Sequence, residues 1–268
     1  MRRLAIALIM TPLAGLAGLS LLAPTAAAEG RTVPPTDPTT TNGGTAEDVA
    51  SGLAPVDVLE VSGLVDDVTV DSIIDAIDKA EADGSQALIL QMNTGGAIVD
   101  EARMVELIHA VRDAEVGIGL WVGPARGSRV LGWPAQLFGV ADVTAMVAGA
   151  HVGHTGDLLD PSVDLRQGAD VMRNDALDYR EARAVGVLRY EGPADLDVPT
   201  MRSMVSAMDG VVLENGTELD TVVPQLDDQG VTQNMSTLVR FSSLGLVEQV
   251  FHTVASPPIA YLFFVIGC

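Results

Sequence analysis

An α/β fold of βαβ units with mostly parallel strands is predicted for this chain by three observations. Short apolar, β-branched runs alternate with segments whose apolar residues fall at helical spacing. That order repeats along the chain, and two of the strands end in glycine-rich turns. Alternation of this kind argues for parallel neighbours joined by right-handed crossovers.

Val56 to Val61 is the first β-branched run, and Val70, Ile73, Ile74 and Ile77 then fall on one helical face. Ala87 to Met92 is the second apolar strand. Val99 to Arg112 reads as a helix with Ala102, Val105, Leu107, Ile108 and Val111 inward, and Val116 to Val122 as a buried strand. Arg129 to Val140 is predicted helical and Val143 to Val147 a strand. Further on, Ala176 to Ala184 and Thr200 to Met208 read as helices and Val187 to Tyr190 and Val211 to Leu213 as strands. Asn215-Gly216 signals a hairpin turn, and Leu244 to Val254 has the pattern of an amphipathic helix.

The two ends are of different character. Met1-Arg2-Arg3, the apolar stretch Leu4 to Leu22 and Ala26-Ala27-Ala28 together form the pattern of a secretory signal peptide over residues 1–28. Residues 29–54 turn to Pro, Thr, Gly and Asp at first, a composition that cannot build a core and reads as a flexible linker. The folded domain is expected over 55–210, with a hairpin and a membrane-proximal helix over 211–255. After Pro257-Pro258 come ten uncharged residues, Ile259 to Cys268, where a bilayer crossing needs roughly 20. Residues 256–268 are therefore expected to be the start of an incomplete membrane segment, in a chain truncated there.

The composition excludes several function classes. The formal net charge is −21, with 36 acidic residues against 15 basic ones, which disfavours nucleic acid and anionic lipid as ligands. A single cysteine, Cys268, excludes internal disulfides and a zinc-thiolate site, and the mean hydropathy of +0.31 points to a large apolar core. No cofactor is expected.

Chemistry is concentrated in the two glycine turns, Leu90 to Gly96 and Trp121 to Arg129. Backbone N–H groups at Gly95 and Gly96 could converge on a developing oxyanion, since glycine allows the close approach this needs; a tight βα turn is the plainer alternative. Ser128 stands at the expected start of a helix, as a nucleophile or simply as an N-cap. Lysine, the base of Ser-Lys dyads, occurs once, at Lys79, well before either turn. His151 and His154 follow the strand ending at Val147. Their His-x-x-His spacing lacks a third ligand for a metal, whereas His154 could act as a general base oriented by Asp157 or Asp160. His109 and His252 are marked by no pattern.

The succession Leu90-Gln91-Met92-Asn93-Thr94-Gly95-Gly96, Trp121-Val122-Gly123-Pro124 through Arg129, Ala141 to Met146 and Gly149 to His154 resembles the NfeD family of membrane-bound, Clp-protease-class proteins, in its actinobacterial-type members. Leu244 to Gln249, followed by His252 to Pro257, is similar to that family's approach to its C-terminal membrane region. The resemblance covers about Val56 to Cys268. It implies a Clp/crotonase-like spiral with a C-terminal hydrophobic membrane segment. It further implies export, with the domain on the extracytoplasmic side of the cell membrane, self-assembly as a homo-oligomer and a stomatin-type membrane partner.

Active members of the family carry a Ser-Lys dyad and a glycine turn like Thr94-Gly95-Gly96 as oxyanion hole. The chain departs from this pattern. Counted back without gaps from Ala145-Met146, the nucleophile position falls on Arg129, with Ser128 one residue early; Gly132-Trp133-Pro134 replaces the small turn that should follow. Val171 to Tyr179 holds Arg173 but no lysine. The same count puts His154 at the histidine of soluble Clp proteases. The resemblance therefore implies a degenerate serine-peptidase domain with an assembly or scaffold role, or else a residual peptidase built from Ser128, His154 and Gly95/Gly96.

Overall fold

The structure, a computed structural model, describes residues 52–190, 198–226 and 232–242. The expected signal peptide, most of the linker, the helix at 244–254 and the segment 256–268 lie outside the described residues. Among the described residues no helix is long and apolar enough to cross a membrane.

Strand β1 (Val56–Val65) leads through helix α1 (Asp67–Ala82) to β2 (Ala87–Ala97), and β2 through α2 (Glu101–Arg112) to β3 (Gly117–Val122). β1 pairs parallel with β2, and β2 with β3, as the alternating pattern predicts. β5 (Val143–Met146) lies parallel on the far side of β3. Both β3 and β5 are buried along their whole length, which is why they carry no polar alternation. Helix α2 turns Met104, Leu107, Ile108 and Val111 inward at i, i+3, i+4, i+7, whereas Ala102, expected inside, is exposed.

β2 has two partners in succession. Ala87 to Met92 pair with β3, and Thr94 then pairs with Val130 of β4 (Arg129–Leu131). β4 is followed in the sheet by β6 (His151–Gly153), parallel, and β7 (Ala176–Asp178), antiparallel. The result is a parallel-rich mixed α/β sheet that forks at the end of β2.

At the opposite edge β10 (Val239–Ser242) lies parallel to β1. Asp57, buried in β1, accepts two bonds from the Arg240 guanidinium, at 2.6 and 2.8 Å, and one from Ser85 Oγ at 2.7 Å. This joins the edge strand to the core through charge-assisted bonds. A separate antiparallel pair, β8 (Val222–Leu226) with β9 (Thr232–Ser236), precedes it.

Several expected elements differ. Arg129 to Val140 is not a helix: Arg129 to Leu131 are captured as a strand between β2 and β6, Gly132 breaks the chain direction, and a 3₁₀ turn runs over Trp133–Gly139 with Pro134 in its first turn. Ala176 to Asp178 is strand β7, and helix α4 (Tyr179–Ala184) starts only after Asp178, which accepts from Arg180 N and Glu181 N while Glu181 accepts from Asp178 N. That is a capping box, whose Asp-x-x-Glu signature is visible in the sequence. A one-turn helix, α3 (Ala169–Met172), precedes it.

Val187 to Tyr190 forms no strand; the buried Thr144 hydroxyl donates to Val187 O and accepts from Arg189 N, fastening the segment without a ladder. Val211 to Leu213 contributes a single bridge, Val212 to Glu218, closed by the Asn215-Gly216 turn. The helix expected at Thr200 to Met208 is present as α5 (Met201–Ala207), capped by the Thr200 side chain.

Candidate functional site

The two glycines of the first turn belong to strand β2, not to a strand-to-helix turn. Pairing with β1 continues to Ala97, opposite Val65, and α2 begins later, where the Asp100 side chain accepts from Arg103 N. Thr94, buried beside β4, donates its hydroxyl to Gly96 O at 2.8 Å and accepts from Gly96 N at 3.2 Å. The Gly96 N–H thus has a local acceptor in the strand.

Gly95 and Gly96 open into different depressions. Gly96 lines a cavity of about 340 Å³ with Ala97, Val99, Gly132, Trp133, His154, Thr155 and Gly156. Gly95 lines another of about 290 Å³ with Gly63, Leu64, Asn93 and Arg129.

In the first cavity the corner opposite Gly96 is Gly132, at the step from β4 into the 3₁₀ turn. Its φ is +72°, a conformation that glycine reaches at little cost, and a Cβ there would lie 3.5 Å from Gly96 Cα. The corner that faces the glycine strand therefore has no hydroxyl. Its neighbour Gln136 is fully buried: Nε2 donates to Thr155 O and Asp157 O, and Oε1 accepts from Leu159 N at 2.9 Å, which fixes the loop after β6.

His154 sits at the start of that loop with φ +54°, its N–H donated to Asp175 O at 3.0 Å and its ring exposed. Neither expected orienting carboxylate reaches it. Asp157 pairs with Arg173 at 2.9 Å, while Asp160 accepts from the Ser162 hydroxyl and backbone and stands 2.8 Å from His109 Nε2. Among the described residues His109, unmarked in the sequence, is thus the histidine that has a carboxylate partner. Ser162, then the His109 ring, hold the Asp160 carboxyl well below the usual carboxylate range.

Ser128 is 1% exposed, and its hydroxyl has no hydrogen-bond partner among the described residues. It starts no helix. Its backbone instead ties the loop: Ser128 N donates to Ala125 O and Ser128 O accepts from His151 N. The cavity that holds His154 and Gly96 does not include it. Arg129 follows with its N–H donated to Asn93 Oδ1 at 3.1 Å and its guanidinium against Gly95. Lys79 is exposed on α1 and paired with Asp83. Among the described residues no group of three His, Cys, Asp or Glu side chains could hold a metal ion.

A further cavity, about 980 Å³, lies elsewhere, lined by Asp142, Arg166, Arg189, Asp209 and Glu214 among others. Most of its charges already serve the fold. Arg189 donates to Gly139 O, Ala141 O and Asp164 O, Asp142 accepts from Ile118 N, and Asp209 from Thr221 N and Val222 N.

Among solved structures the chain is similar to 1510-N, a membrane-bound stomatin-specific protease. The match to its lysine-to-alanine mutant in complex with a substrate peptide has a TM-score of 0.58 at 16% identity, over 75% of this chain and 98% of that one. The fold is shared with a membrane protease. The match to 1510-N described as specific for a stomatin homolog from Pyrococcus horikoshii has a TM-score of 0.55 at 16% identity, over 76% and 99%. A serine-to-alanine mutant of 1510-N gives 0.55 at 16%, over 72% and 99%. No protein-family model matches the chain, and comparison with curated proteins finds no match. At this identity the likeness to 1510-N is one of fold. It supports the expected α/β fold with a parallel-rich sheet.

Proposed function

We propose that the chain is an NfeD-like, membrane-associated protein whose Clp-like serine-protease domain is catalytically degenerate and serves in assembly at the membrane. One observation carries this reading: the corner facing the Gly96 strand is Gly132, while the nearby Ser128 hydroxyl is buried away from that cavity. Whether Arg129 or Gly132 is taken to stand in the nucleophile's place, neither has a group that can attack a carbonyl. The only lysine, Lys79, is exposed and held by Asp83 on α1.

Membrane association and a stomatin-type partner are supported by the fold shared with 1510-N and by the apolar runs at both ends of the sequence. The domain then belongs on the extracytoplasmic face of an exported protein and assembles with itself. A residual serine peptidase using Ser128 and His154 is the alternative, favoured by the presence of His154 in one cavity with Gly96.

Labelling with a fluorophosphonate probe decides between them. The full chain in detergent should remain unlabelled. Stoichiometric labelling that disappears in Ser128→Ala would overturn the degenerate reading.

A further inference from the structure

We infer that the cleft formed by Gly63, Leu64, Asn93, Gly95 and Arg129 binds a carboxylate of an extended polypeptide, with an adjoining aliphatic residue on Leu64. This deepens the proposed function, since it rests on the reading that the domain serves in assembly with a protein partner and does not cut it.

Charge is the first argument. In a chain with 36 acidic and 15 basic residues, an arginine is expected to find an internal carboxylate. Arg103, Arg112, Arg166, Arg173 and Arg240 each do, whereas Arg126, Arg180 and Arg202, which among the described residues do not, border none of the three cavities described above. Arg129 makes no ion pair or side-chain hydrogen bond among the described residues, although it borders a cavity of about 290 Å³. A guanidinium left open beside a cleft offers paired donors that match a carboxylate.

Position is the second. The Arg129 backbone is pinned to Asn93, and a Cβ built on Gly95 would lie 3.9 Å from both Nε and Nη2, so the guanidinium spreads over the bare backbone of β2. An anion held there would lie along the strand. The third argument is apolar. Leu64 is 45% exposed and its side chain reaches within 4.0 Å of a Cβ built on Gly95, so an aliphatic side chain flanks the cleft beside the guanidinium. One cation beside an aliphatic group suits a monoanionic carboxylate on a peptide better than a phosphate.

The carboxylate can be a chain terminus or an Asp or Glu side chain. Fluorescence anisotropy with three labelled octapeptides ending in leucine separates the sources: the free acid, the C-terminal amide, and the amide with glutamate before the leucine. At least one carboxylate-bearing peptide should bind the full chain in detergent about tenfold or more tighter than the plain amide. Preference for the acid assigns the terminus, and preference for the glutamate amide assigns the side chain. Arg129→Gln should remove the preference, while Arg126→Gln, which alters an exposed arginine in the adjoining loop, should keep it. Leu64→Asp, which adds a repelling charge to the same cleft, should remove it as well, so the test stands if Arg129→Gln misfolds.

Equal binding of all three peptides, no binding, or a preference that survives Arg129→Gln overturns the inference. Fluorophosphonate labelling of the same sample keeps the two proposals apart. Labelling without carboxylate preference sinks both, preference with labelling sinks only the degenerate reading, and neither labelling nor preference sinks only the cleft.

Discussion

The Gln136 side chain is bonded to the backbone of Thr155, its Nε2 donating to the Thr155 carbonyl at 3.1 Å from a fully buried position. The same amide serves Asp157 O and Leu159 N, so three backbone groups of the loop carrying His154 depend on one side chain. Gln136→Met keeps the volume and removes these bonds. It should lower stability by about 2–3 kcal/mol in urea unfolding, the cost of leaving buried polar groups unpaired. A loss under about 0.5 kcal/mol would mean that water takes over the bonds.

Ser128→Ala should behave in the opposite way. The hydroxyl is buried without a partner, so its removal relieves a desolvation cost and breaks no bond. Thermal unfolding should show unchanged stability or a gain of up to about 1 kcal/mol. Clear destabilisation would reveal a partner for the hydroxyl.

Acid should weaken the loop that Asp160 anchors to α2. The carboxyl is held below the usual range by Ser162 and His109, so its ionised form is favoured by folding. That stability is fully present above the unfolded carboxylate pKa of about 3.9 and is lost as pH falls below it. The difference in melting temperature between the wild type and Asp160→Asn should therefore shrink as pH falls below about 4. A difference that grows between about pH 4 and about pH 2 would contradict this.

Arg240→Met should cost about 2–3 kcal/mol, less than for a wholly buried pair because Arg240 keeps some exposure, and measurable by denaturant unfolding. Asp57 is then left buried with Ser85 alone. Replacing Asp57 and Arg240 together by apolar residues should recover part of the loss.

The βαβ frame is legible in the sequence because β2 and β3 hold apolar runs, β1 is rich in valine, and the stripes of α1 and α2 are periodic. The short strands were hidden. Arg129 to Leu131 and His151 to Gly153 have three residues each, too few to show a period, and exist because the end of β2 offers Thr94 as a partner. For the same reason Ser128 looked like the start of a helix, when it is the inward-facing residue before a strand. The glycine turn and the His-x-x-His spacing mark Gly95, Gly96 and His154 as candidates, but nothing in the sequence signals that the two glycines line separate depressions. Gly132 had a readable sign in Gly-x-Pro, which forbids helix before Pro134. The His109–Asp160 pair, 51 residues apart, had none.

The pairing of β1 with β10 sets how the domain bears load. Val56 stands opposite Val239 and Leu59 opposite Ser242, so the chain enters at one end of this parallel pair and leaves at the other. Tension applied through residues on either side pulls the two strands along their axis in opposite directions. Their ladder is then strained in shear, all rungs together, with the Asp57–Arg240 clasp across it. A domain hauled from both flanks would resist as a mechanical latch, and would not peel open one bond at a time.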